Sequence, residues 1–352
     1  MRPVRVAILG CGQMGSRWDM PGTAAHAGPS LTHAAAFSRQ AGAQVVAFCD
    51  PDLARAQEAA SAWGSLMAFA DASAMFKTAA IDLAVVASHS SARLTVIEQA
   101  LAAGVRHFVI EKPLAITLAE SRQVVQALNA HGAVALVNYS RHWDPALENL
   151  RQRINDGQFG RVQRLIGLYG KGLANSGSHM IDLAGFLCGA SPVAARAWGP
   201  PLPSSEADWS QGQDAVVDGQ VRFQSTEGTR VQLDLLATDT NAFTCFELKI
   251  IGTEAACDIR LGGRCIELQT VHDDANFAGY RVLGERSTLP ARGLEALDNM
   301  AAEALALTRG ELPRARCEAL DALTTAATVQ ALRRSAAAGL SAWIPVEVNN
   351  HD

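Results

Sequence analysis

Short apolar runs alternate with helix-type segments through the first third of the chain. Val4-Arg5-Val6-Ala7-Ile8-Leu9 and the runs over 44–49, 81–87, 106–110 and 133–137 read as buried strands rich in Val, Ile and Ala. Residues 92–103 read as a helix stopped by Gly104, and Thr117 with Glu120 forms a capping box ahead of a helix ending near Gly132. This alternation predicts a parallel sheet covered on both faces.

The pattern then changes. Asp144-Pro145 opens a helix, with proline suited to its first turn, and residues 162–168 read as a strand. Beyond Ser191 the apolar positions recur every second residue: Val221/Phe223, Val231/Leu233/Leu235 and Phe246/Leu248/Ile250. Turns such as Thr226-Glu227-Gly228-Thr229 separate them, which predicts an antiparallel sheet. An Ala/Leu-rich helical stretch over 294–338 follows, broken near Gly310 and Pro313. The expected organisation is α/β, with one domain over 1–137 and a second over 138–352. The closing helices are placed to pack back on the first. Residues 199–212, rich in Pro and Ser, form the best candidate for a mobile loop.

Composition excludes several functions. The chain has 352 residues, 18% of them charged, and a net charge of -5, so no basic patch is expected to hold nucleic acid. No apolar stretch approaches 18 residues, so no membrane span is expected. Met1-Arg2-Pro3 runs straight into the first strand, which predicts no signal peptide and a cytoplasmic location. Seven scattered cysteines without a C-x-x-C pair argue against a disulfide framework or a structural metal site.

Candidate chemistry begins where the first strand ends, at Gly10-Cys11-Gly12-Gln13-Met14-Gly15. In a G-x-G-x-x-G turn the first glycine permits the bend, the second lets backbone approach a pyrophosphate, and the third allows close helix–strand packing. Free N–H groups at the following helix end attract the phosphates. Asp50 ends the second apolar run. A carboxylate there accepts both ribose hydroxyls and repels the extra phosphate of NADP, which favours NAD. Asp50 lies 35 residues past Gly15, against about 20 in a minimal domain. Residues 18–30 therefore read as an insertion, with the first helix resuming around Leu31-Thr32-His33. A cover over the phosphate end and inert decoration both fit it.

Three further groups carry polar residues. Glu111-Lys112-Pro113 follows a strand at the edge where open parallel sheets bind ligands, near Ser88, His89 and Arg93. Asn175, His179 and Asp182, at i, i+4 and i+7, share one face if one helix carries them, and histidine suits proton exchange near neutral pH. Taken without the first domain, His179 reads rather as a helix-start residue bonded to a loop carbonyl, with Asp182 as a surface charge. Asn138 and Arg141 follow the last strand of the first domain. They line a polar pocket there, or belong to a linker in which Trp143 packs and Arg141 forms a salt bridge. His26 and His33 read as loop and helix residues without a chemical task.

Together these motifs resemble the glucose–fructose oxidoreductase / inositol dehydrogenase / MocA (Gfo/Idh/MocA) family over nearly the whole chain. Glu111-Lys112-Pro113 combined with Gly177-Ser178-His179-Met180-Ile181-Asp182 is the most specific part. The resemblance implies a Rossmann domain plus an α/β domain with a large, open, mainly antiparallel sheet, whose exposed face often mediates dimers or tetramers. It implies NAD-dependent hydride transfer at a ring hydroxyl or ketone of a sugar, polyol or sugar derivative. Lys112 and His179 would be catalytic, with Asn175, Asp182, Arg141 and Asn138 near the substrate. Gly10, Gly12, Gln13, Met14, Gly15, Asp50, Ser88, His89, Glu111 and Lys112 would face the cofactor. Asn175 stands where the family often has aspartate. That departure keeps open a non-catalytic dinucleotide- and sugar-binding regulator. A glycoside hydrolase using NAD without net redox change is the other alternative.

Overall fold

A computed structural model describes residues 2–23, 27–198, 214–238, 242–290, 293–339 and 342–348. His26 and the proposed loop over 199–212 lie outside the described residues. The chain forms two compact units, Met1–Trp143 with Leu294–Leu323, and Asp144–Gly293 with Thr324–Asp352.

The first unit is built on six parallel strands: β1 (Val4–Leu9), β2 (Ala43–Cys49), β3 (Met67–Phe69), β4 (Leu83–Val86), β5 (His107–Ile110) and β6 (Val134–Val137). Their order is β3-β2-β1-β4-β5-β6, the doubly wound arrangement that reverses direction between β1 and β4. Helices α1 (His33–Ser38), α2 (Leu53–Ala62), α3 (Ala72–Thr78), α4 (Arg93–Ala102) and α5 (Leu118–Ala130) connect them. β1 and β4 are buried almost throughout because helices cover both faces, which explains their unbroken apolar sequence. Thr117 and Glu120 make the expected capping box. The glycine turn does not pass straight into an α-helix. It leads into one π-helical turn, Gln13–Arg17, and α-helix starts only at His33, capped by Thr32.

The inserted segment is pinned where it can be described. Buried Asp19 accepts from the Leu31 N–H at 2.6 Å and from the Thr32 hydroxyl. Ser30 donates to Asp298 of helix α8 (Ala296–Thr308), which packs on this unit. Arg309, just past α8, donates to the Gly42 carbonyl at 3.0 Å.

At the amino ends of β1 and β4, Asp82 accepts from the Arg5 guanidinium at 2.8 and 3.0 Å, from the Arg5 N–H at 2.9 Å, and from Arg2. The Arg5 hydrogen bond outweighs the burial that opposes ionisation, with Arg2 adding to it, and holds the Asp82 carboxyl well below the usual range. A carboxyl depressed on folding stabilises the fold above its unfolded value, about 3.9, and loses that contribution as pH falls below it. The melting-temperature gap between wild type and Asp82→Asn should therefore be full at pH 7 and shrink from about pH 4 downward. A constant gap between pH 7 and 3 would remove this role.

The second unit carries a ten-stranded sheet made of β7 (Val162–Tyr169), β8 (Ser191–Ala197), β9 (Gly219–Gln224), β10 (Arg230–Ala237), β11 (Phe246–Gly252), β12 (Ala255–Arg260), β13 (Cys265–Asp273), β14 (Arg281–Leu283), β15 (Ser287–Leu289) and β16 (Ile344–Pro345). Among the described residues all its pairings are antiparallel except one. β10 runs parallel to β7, so the sheet is mixed at its centre. Helices α6 (Pro145–Asn155) and α7 (Ser178–Cys188) pack together beside the sheet. Leu165, Met180, Leu183, Phe223, Leu233 and Leu248 are buried in its core. The last helix, α9 (Ala319–Ala337), starts in the first unit and continues in the second.

Candidate functional site

Strand register builds the first half of the site. Leu9 pairs with Cys49 and with Val86, Val86 with Ile110, and Ile110 with Val137. The next residues, Gly10, Asp50, Ala87, Glu111 and Asn138, therefore form one row at the carboxyl edge of the sheet. Ser88, His89 and Lys112 follow directly behind that row. Brought together in this way are the glycine turn, the acidic strand end and the lysine turn, from five segments far apart in sequence.

The three glycines of the turn differ in what surrounds them. Gly10 has φ +98°, and a Cβ there would lie 2.5 Å from the Ser88 nitrogen. On Gly15 a Cβ would sit 1.9 Å from the Gly10 carbonyl oxygen. Both are glycines because the fold demands it. Gly12 has an ordinary φ of −77°, and nothing among the described residues lies within 4 Å of its Cβ position. Packing gives no reason for that glycine; a ligand approaching the backbone does. The N–H groups that open the following turn have no helical carbonyl behind them and would be donors to such a ligand. The buried Ser88 hydroxyl has no partner among the described residues. These features fit a dinucleotide pyrophosphate. The intervening Cys11 is fully buried, and burial with the nearby Asp50 charge pushes its thiol up to about 12, which disfavours the thiolate.

Asp50 is oriented before any ligand arrives. One carboxylate oxygen accepts from the Cys11 N–H at 2.9 Å and the other from the Asp52 N–H at 3.0 Å. A carboxylate accepts about four hydrogen bonds, so capacity for ribose hydroxyls remains. His89 is exposed, with Nδ1 2.9 Å from the Ser91 hydroxyl.

Two candidate residues are engaged inside the protein. Glu111, like Asp50, is 6% exposed. Its Oε1 is 2.7 Å from His33 Nε2 and accepts from Asn138 Nδ2 at 2.7 Å. Burial opposes the charge, but the His33 bond and charge, the Asn138 amide and Arg93 overcome it and hold the carboxyl below its ordinary value. Asn138 is likewise buried, its Nδ2 donating to Glu111 while its Oδ1 has no partner among the described residues. His33, read as idle, is fully buried in this cluster. A sequence signal existed: in Thr32-His33-Ala34-Ala35-Ala36-Phe37 only small and apolar residues surround the imidazole. A helix so buried obliges its one polar ring to find a partner. Trp143 is also buried, donating to Glu303 of α8 at 2.9 Å.

Lys112 is half-buried, and the Lys112–Pro113 bond is cis. Arg93, 5% exposed, donates to the carbonyls of Glu111 and Pro113 on either side of it, and to that of Ser88 at 3.1 Å. Burial lowers the Arg93 guanidinium to about 10, with Glu111 and Tyr139 opposing, so it stays charged at neutral pH.

In the second unit, Asn175 lies on a π-helical turn, Leu173–Gly177, that runs straight into α7, where His179 and Asp182 sit. Met180 packs where Gly167 of β7 has no side chain, since a Cβ there would approach within 2.8 Å. This contact sets the rotation of α7. It leaves His179 half-buried, Asn175 exposed and Asp182 buried. Asp214 holds the entry to the turn by accepting from the Ala174 and Asn175 N–H groups at 3.0 and 2.7 Å. It also pairs with Arg333 at 3.2 Å. Sequence reading missed this brace, because nothing local links residues 174, 214 and 333.

Residues 4–139 match the Gfo/Idh/MocA family model, described as an oxidoreductase family with an NAD-binding Rossmann fold. The match covers the amino-terminal part of the chain, and the likeness to this family is shown for that part. D-apiose dehydrogenase of Paraburkholderia graminis is 32% identical over 131 residues, covering 37% of this chain and 35% of that protein. Inositol 2-dehydrogenase of Rhizobium meliloti is 27% identical over 208 residues, 55% of this chain and 58% of that one. The chain thus aligns with only about a third to three-fifths of these relatives. The solved structure of levoglucosan dehydrogenase with NADH superposes with a TM-score of 0.75 at 18% identity, covering 98% of this chain and 100% of that one, a likeness of fold. Among the described residues no helix is long and apolar enough to cross a membrane.

Proposed function

We propose that this protein is an NAD-dependent dehydrogenase that oxidises a ring hydroxyl of a sugar or polyol, or reduces the corresponding ketone. The observation that carries this reading is the row of Gly10, Gly12, Asp50 and Lys112 at one sheet edge, with Gly12 bare for no packing reason. The named relatives act on apiose and inositol, which supports a polyhydroxylated substrate.

Bound NAD would supply the hydride acceptor. His179 is the proposed base that takes the hydroxyl proton onto its imidazole, and the Lys112 ammonium stabilises the alkoxide that develops. Asn175, Asp182 and Arg141 are the proposed contacts to neighbouring hydroxyls. A cytoplasmic homodimer or homotetramer, joined through the open sheet face, completes the reading.

The test is to incubate the protein with NAD and a panel of myo-inositol, scyllo-inositol, D-apiose, levoglucosan and D-glucose, following absorbance of NADH. Production of NADH with one of them supports the reading, and silence across the panel counts against it. Cofactor choice has its own test. Asp50→Ala should weaken NAD binding about tenfold, the loss of one charged hydrogen bond, with little change for NADP. Equal weakening of both would end the argument for NAD selectivity.

A further inference from the structure

Arg93 violates two local rules. It is the first residue of α4, where the helix dipole disfavours a cation, and its guanidinium is almost wholly buried. Nothing in the helix itself asks for a charge there. What compensates is a set of carbonyls belonging to other segments. Nε donates to Ser88, just past β4, and Nη1 donates to Glu111 and Pro113, just past β5. Backbone in such a turn has left the sheet, so these carbonyls lack strand partners and need donors when buried. A planar guanidinium with five N–H groups serves several at once; the point charge of a lysine does not span them.

We propose that Arg93 is the positioning residue of the lysine turn, fixing Lys112 by gripping the carbonyls on both sides of it and tying them to the end of β4. Arg93 touches no reacting atom in this scheme; it acts through Lys112. The inference rests on the proposed role of Lys112 for its catalytic meaning, but not for its structural content.

Arg93→Lys keeps the charge and removes the fork, while Arg93→Ala removes both. Tryptic cleavage leaves residues 107–122 as one peptide with Lys112 as its only lysine. Acetylation of Lys112 by limiting acetic anhydride can therefore be read by mass spectrometry against exposed Lys77 in the same sample. In folded Arg93→Lys the Lys112/Lys77 labelling ratio should rise about threefold or more, because the turn is released. An unchanged ratio overturns the proposal, whether or not Arg93→Ala folds. With a panel substrate, Arg93→Lys should lower kcat about tenfold or more with the NADH Kd nearly unchanged, and should have no further effect in a Lys112→Ala background. An equal loss in both backgrounds sinks the positioning role while leaving Lys112 catalytic. A Lys112→Ala enzyme as fast as wild type instead sinks the role of Lys112, and the labelling result still decides what Arg93 holds.

Discussion

His179→Ala and Lys112→Ala are each expected to bind NADH as wild type does and to turn over substrate about 10²–10⁴-fold more slowly. A positioned proton acceptor is worth about that factor, or about 3–5 kcal/mol of barrier. Both side chains are half-buried, so each can be desolvated by a ligand without being locked in the core. Neither substitution is expected to unfold its unit, since the packing around α7 comes from Met180, Leu183 and Leu187, and that around β5 from Phe108, Val109 and Ile110. Unchanged NADH affinity separates a lost catalytic group from a damaged cofactor site. Wild-type turnover in either variant removes that residue from the proposed mechanism.

The glycine turn gives the other large effect, as a contrast between neighbours. Gly15→Ala drives a methyl group to 1.9 Å from the Gly10 carbonyl oxygen, a rigid backbone atom that cannot step aside. Overpacking of this kind costs about 3 kcal/mol or more, or a fall of about 6–12 °C in the melting temperature of a unit this size. Gly12→Ala meets no atom within 4 Å and has an ordinary φ, so its melting temperature should stay within about 2 °C of wild type. Its NADH affinity should nevertheless fall about tenfold or more, because the added methyl occupies the approach of the pyrophosphate. Calorimetry and NADH fluorescence titration on the two variants check both halves. Full NADH affinity in Gly12→Ala would mean that the phosphates lie elsewhere.

Much of the first unit was legible because its signals are local. Unbroken apolar runs marked the strands, Thr117 and Glu120 marked a helix start, and the spacing of Asp50 exposed an insertion. The second sheet was legible as alternation, but not as mixed, because parallel and antiparallel strands carry the same period of two. Only the chain path could reveal that β10 runs alongside β7.

For the site, the sequence by itself determined which residues had chemistry to offer: the glycines, Asp50, Lys112, Asn175 and His179. Tertiary structure decided the surroundings of each. Register across five strands put Gly10, Asp50, Glu111 and Asn138 in one row, and burial then paired Glu111 with both His33 and Asn138. It also gave Arg93 and Asp214 their partners, since each bonds to backbone of another segment. The physical reason is range. Propensity and periodicity act over one or two turns of chain, whereas a buried charge is placed by whichever distant carbonyls or amides the fold leaves without partners.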